Sequence, residues 1–122
     1  MSKHVLVVDD EAGILELAKT ILESQGHMVT LATSLTGGLK ILEEMTPDAI
    51  VCDHKMSDGS GLVLLMHALT QVRFDKTVLV LSSGSTEMTY SRPVSLHELC
   101  KVLGLRRISK PFQVLELLIS VT

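Results

Sequence analysis

Short apolar runs alternate along this chain with longer stretches in which apolar residues recur every three or four positions. Val5-Leu6-Val7-Val8 is continuous and rich in β-branched residues, the form of a strand buried on both faces. Ile14, Leu15, Ala18, Ile21 and Leu22 follow at helical spacing, and Gly26 ends that pattern. Met28–Leu31 predicts a second strand. Leu35, Leu39, Leu42 and Met45 predict a second helix, with Glu43 and Glu44 on its solvated face and a stop at Thr46-Pro47. Ala49–Cys52 predicts a third strand ending at Asp53. Leu62, Leu65, Met66 and Leu69 predict a third helix after a glycine-rich turn, and Val78–Leu81 a fourth strand ending at Ser82. Ser95 and Glu98 fit a capping box for a helix over Leu96–Leu103, closed by Gly104. Arg106–Ser109 predicts a weaker fifth strand, and Val114–Ile119 a short closing helix.

Strands that alternate with helices favour a parallel sheet with helices on both faces. Right-handed crossovers reduce the topology to a doubly wound α/β fold. In such folds, sites form where the carboxyl ends of the strands meet. The polar residues just after the strands therefore carry the functional expectation. Asp9-Asp10-Glu11 follow the first strand, Asp53 the third, Ser82-Ser83-Gly84 the fourth, and Ser109-Lys110-Pro111-Phe112 the fifth. Acidic residues at such places also serve as helix caps or solvated turns. Their joint placement on four strand ends is what points to a site. Two carboxylates about 4 Å apart repel by about 4 kcal/mol at an effective dielectric of about 20, so a cluster of Asp9, Asp10 and Asp53 must recruit protons or a cation. Hard oxygen ligands suit Mg²⁺, which keeps several waters. Lys110 and the Ser82 hydroxyl would complement the oxygens of a phosphoryl group. Asp58-Gly59-Ser60-Gly61 matches neither phosphate-binding glycine fingerprint and is read as a strand-to-helix turn.

Composition narrows the classes. At 122 residues the chain fits one domain, 1–122. It is 46% hydrophobic and 20% charged, which disfavours a disordered chain. A net charge of −3 and only three aromatic rings, Phe74, Tyr90 and Phe112, argue against nucleic-acid contact by this domain. Cys52 and Cys100 read as free thiols of a cytoplasmic protein. No apolar run reaches the length of a membrane span, and the N-terminal residues do not form a signal peptide. The five histidines show no metal-ligand spacing, and alternation turns His54 away from Asp53. Lys101, Arg106, Arg107 and Lys110 crowd the last third, as a solvated face or a surface for an acidic partner.

These motifs together resemble the receiver domain of two-component response regulators, the CheY-like family. The resemblance spans the whole chain. It rests on Val7-Val8-Asp9-Asp10-Glu11, on Pro47-Asp48-Ala49-Ile50-Val51-Cys52-Asp53, on Met56 with Gly61, on Ser82, and on Lys110-Pro111-Phe112. It implies a flavodoxin-like five-stranded sheet in the order 2-1-3-4-5. It implies Asp53 as phosphoacceptor, Asp10 as a direct Mg²⁺ ligand assisted by Asp9, and the Lys55 backbone carbonyl as a third protein oxygen on the metal. Ser82 and Lys110 would engage the phosphoryl group. The donor would be a sensor histidine kinase or a histidine phosphotransfer protein, and phosphorylation would bias two conformations. The domain would turn over no separate substrate, only adding and losing its own phosphoryl group. A phosphorylation-dependent homodimer is a further expectation, and the domain could stand alone or belong to a longer regulator.

Three departures stand out. Ser57 replaces the proline usual after Met56. Arg107 stands where an aromatic usually precedes the lysine; it reads either as a solvated residue on an exposed strand end or as a change in the expected coupling through an ion pair with Glu87. The stretch between Ser82 and Lys110 is several residues longer than usual, with the excess placed at 83–92. Two other classes compete: a degenerate receiver acting as a phosphorylation-independent interaction module, and a small metal-dependent phosphatase. The phosphatase would need a general acid near Asp53, and Lys55 fits that role poorly.

Overall fold

A computed structural model of the chain describes residues 2–83, 101, 103–109 and 121. Five strands form one parallel sheet: β1 (His4–Val8), β2 (Met28–Ala32), β3 (Ala49–Asp53), β6 (Val78–Ser83) and β7 (Arg106–Ser109). Their order is β2-β1-β3-β6-β7, which is the order 2-1-3-4-5 when only the sheet strands are counted. A two-stranded antiparallel hairpin, β4 (Lys55–Met56) with β5 (Gly59–Ser60), lies between β3 and the third helix. The helices are α1 (Ala12–Ser24), α2 (Leu35–Glu44) and α3 (Gly61–Leu69), and a 3-10 turn covers Val72–Phe74.

The strands alternate side chains between two apolar clusters, as the pleat requires. Val5 and Val7 of β1, with Ala49 and Val51 of β3, meet Leu15, Ala18, Ile21 and Leu22 of α1 on one face. Leu6 and Val8, with Ile50 and Cys52, meet Leu42 of α2 and Leu64, Leu65 and Ala68 of α3 on the other. Both faces of the sheet's centre are therefore covered, and for that reason β1, β3 and the start of β6 read as unbroken apolar runs. Burying each large aliphatic side chain contributes about 1.5–3 kcal/mol. Leu6, Leu22, Leu42, Ile50, Leu64, Leu65 and Leu81 are all fully buried.

The expected strand and helix positions match these elements with shifts of a residue or two at the ends. The stretch read as a turn, Asp58–Gly61, contains β5, which pairs with β4 just before it, and the 3-10 turn is an additional element. Lys101 and Leu103 are helical, and Gly104 follows with φ +73°, the left-handed stop its position predicts. The rest of the capped helix, the closing helix and Cys100 lie outside the described residues. Cys52 is buried, and its thiol donates to the Asp53 carbonyl at 3.5 Å.

Candidate functional site

Strand β1 delivers Asp9 and Asp10 to the carboxyl edge of the sheet. The Asp9 amide donates to the Ala32 carbonyl at 3.1 Å, so Asp9 continues the β1–β2 pairing. Its Oδ1 accepts from the Glu11 amide at 2.9 Å and ties the turn into α1. Asp9 is 1% exposed, whereas Asp10 is open to solvent. On the neighbouring strand Asp53 is the last residue of β3 and is 6% exposed. Ser82 is its register partner on β6 and is 1% exposed. The His54 amide donates to the Ser82 carbonyl at 2.9 Å, which holds the two strand ends together beyond the acid.

Asp9, Asp10 and Asp53 each offer an oxygen, and these oxygens lie within 4.8 Å of one another. At that separation two ionised carboxylates repel by about 3.5 kcal/mol at an effective dielectric of about 20. The donor set is all hard oxygen, with one member facing water. That suits a small divalent cation that retains part of its hydration shell.

The backbone beneath the site is tightly fixed. The Gly61 amide donates to the His54 carbonyl at 2.8 Å. A Cβ at Gly61 would stand 1.9 Å from the Asp53 carbonyl oxygen and 2.9 Å from Cys52 Sγ. Glycine is the residue that lets α3 start directly against the strand carrying Asp53. The loop before it is pinned at two points. The Ser57 amide donates to Asp10 Oδ2 at 3.0 Å. Asp58 reaches α2, where Oδ1 accepts from the Leu35 amide and Oδ2 from the Thr36 amide and hydroxyl, each at 3.1 Å. The Leu35 and then the Thr36 amide hold the Asp58 carboxyl below its ordinary value of 3.8, as donors to an anion at a helix start do.

The structure thus brings together Asp9, Asp10, Asp53 and Ser82. Lys55 lies exposed in β4, paired with Ser60. Lys110, Glu87 and the loop at 84–100 fall outside the described residues. Arg107 pairs its backbone with Leu81 in the sheet, and its side chain falls outside the description. Sequence reasoning missed Asp58 as the cap of a distant helix and the Ser57 amide as a partner of Asp10. Both contacts depend on tertiary placement, and no local spacing signals them. A separate cleft of about 340 Å³ is lined by Phe74, Lys76, Thr77, Leu79 and Arg106, at the opposite end of β6 from Ser82.

The family described as response regulator receiver domain matches residues 5–122. The chain belongs to that family. Its curated relatives include the acid tolerance regulatory protein ActR of Rhizobium meliloti, 31% identical over 94 residues, which are 77% of this chain and 48% of that protein. The transcriptional regulatory protein GlrR of Escherichia coli is 31% identical over 80 residues, 66% of this chain and 18% of that protein. The receiver spans at most about half the length of these relatives. Among solved structures, a CheY-like receiver domain protein from Methanospirillum hungatei aligns with a TM-score of 0.79 at 27% identity, covering 99% of this chain and 91% of that one. The chemotaxis response regulator CheY4 of Vibrio cholerae shares the fold, with a TM-score of 0.82 at 23% identity, covering 99% of this chain and 97% of that one. Among the described residues no helix is long and apolar enough to cross a membrane.

Proposed function

We propose that this receiver accepts a phosphoryl group on Asp53 in an Mg²⁺-dependent transfer and uses the modification as a switch. The observation that carries the reading is the convergence of the Asp9, Asp10 and Asp53 oxygens within 4.8 Å at adjoining strand ends, with Ser82 in register beside Asp53. Asp9, Asp10 and Asp53 would hold the cation, with the Lys55 carbonyl as the further oxygen that the family resemblance implies. Bound Mg²⁺ supplies positive charge against the phosphoryl oxygens. Asp53 supplies the nucleophilic oxygen. As the P–O bond to Asp53 forms, the P–N bond of a phosphohistidine breaks, and its electron pair leaves with the imidazole. The Ser82 hydroxyl donates to a phosphoryl oxygen, and Lys110 pairs with another.

The donor is a sensor histidine kinase or a histidine phosphotransfer protein. The receiver acts in the cytoplasm, turns over no separate substrate and makes no nucleic-acid contact of its own. Its output passes through protein contacts, a phosphorylation-dependent homodimer among them. Intact-mass measurement after incubation with acetyl phosphate tests the reading. One phosphoryl group is expected, and it should vanish with Asp53→Asn or with a chelator. Folded protein that gains no mass and does not respond to beryllofluoride would instead be a phosphorylation-independent interaction module. Turnover of a chromogenic phosphate ester would make it a phosphatase.

A further inference from the structure

The turn that follows the phosphoacceptor strand reaches back to the acidic cluster through its backbone. The Ser57 amide donates to Asp10 Oδ2 at 3.0 Å across 47 positions of sequence. Asp10 is the exposed member of the cluster, and an exposed aspartate otherwise samples several rotamers. The amide is itself held in place. Met56 pairs with Gly59 in the β4–β5 hairpin that brackets Ser57. The adjoining Asp58 carboxylate is bound by the Leu35 and Thr36 amides at the start of α2. A donor tethered on both sides therefore faces the solvent-exposed member of the three acids.

We propose that the Ser57 backbone amide is a positioning group for the cation site, restraining the Asp10 carboxylate beside those of Asp9 and Asp53 before a cation arrives. This rests on the reading that these three carboxylates hold Mg²⁺. Outer contacts that orient a metal-binding carboxylate raise affinity because the ligand need not be ordered on binding. The contribution here is a peptide N–H, so the identity of the side chain is immaterial, with one exception. Proline alone among the residues has no N–H to donate. This chain carries Ser57 where the resemblance places proline, so it has a donor that the usual residue would lack.

Calorimetric titration of the full chain with Mg²⁺ alone tests the assignment. Ser57→Pro is expected to weaken the Mg²⁺ dissociation constant about tenfold, the lower end for outer contacts, because Asp10 faces water. Ser57→Ala keeps the amide and should retain the wild-type affinity. A Ser57→Pro protein that binds as tightly as wild type, or more tightly, overturns the proposal. So does a Ser57→Ala protein that weakens equally, since the hydroxyl would then be responsible. Wild-type protein that takes up no Mg²⁺ refutes the cation reading itself. Amide hydrogen exchange in the wild type gives a test that no folding defect can blur. Protection at Ser57 with and without saturating Mg²⁺ supports the proposal, whereas protection lost on adding Mg²⁺ means that the bond competes with the ion.

Discussion

Gly61 shows how little freedom the strand carrying Asp53 has. Its absent Cβ would lie 1.9 Å from the Asp53 carbonyl oxygen, far inside contact distance, with the Asp53 carbonyl carbon and Cys52 Sγ each 2.9 Å away. The obstruction is backbone, which cannot swing aside as a flexible side chain would. Gly61→Ala must therefore push α3 off β3 or twist the end of the strand. A loss of about 3 kcal/mol is expected, the upper part of the range for overpacking, read as a lower urea midpoint with an unchanged slope. A midpoint within error of wild type would contradict the contact. The glycine itself is visible in the sequence, as part of the motif with Met56. Its reason is not, because the crowding atoms belong to a strand eight positions earlier that folds back beneath the helix. Asp9, Asp10 and Asp53 were legible for the opposite reason. Each follows an apolar run, and in a parallel sheet the ends of such runs meet.

Helix α2 illustrates what an element needs beyond its own sequence. Ser34 caps it locally by accepting from the Gly37 amide at 3.0 Å, as a serine at a helix start does. The Leu35 and Thr36 amides, which a local cap leaves open, are satisfied by Asp58 instead. Nothing in the spacing announces that bond, because it joins a turn after β3 to a helix that precedes the strand. It makes stability depend on pH with a definite sign. The Asp58 carboxyl is held below its ordinary value of 3.8 in the folded state, so the unfolded chain takes up the proton first as pH falls. The contribution of Asp58 is present in full above that value and disappears as pH drops through the lower folded value. Melting temperatures of wild type and Asp58→Ala should therefore differ at pH 6 and converge in strong acid. A constant gap across that range would show that the carboxylate charge is not involved. The same logic marks which elements could be anticipated. Strands β1, β3 and β6 were readable from composition alone because both faces are buried. The β4–β5 hairpin and the 3-10 turn, which are short and carry little burial signal, were not.

At the scale of the molecule, the site and the core pull against each other. The two clusters are held by strands whose carboxyl ends deliver like charges to one spot. Packing brings Asp9 and Asp53 into near-complete burial, where their repulsion is less screened than it would be in water. A cation that binds there binds the folded chain only, since the unfolded chain has no reason to gather residues 9, 10 and 53. Its free energy of binding then becomes stability of the whole domain. With Mg²⁺ at about ten times its dissociation constant, the gain is about 1.4 kcal/mol. For a domain of this size that raises the melting temperature by about 5 °C. Scanning calorimetry should show this rise on adding Mg²⁺ and its reversal by a chelator. Asp10→Asn should lose most of the increment while melting at or above the wild type when both are metal-free, because it removes one of the three repelling charges and Asp10 lies outside both apolar clusters. An equal Mg²⁺ increment in the two proteins would place the stabilising ion elsewhere and separate the acidic cluster from the chemistry assigned to it.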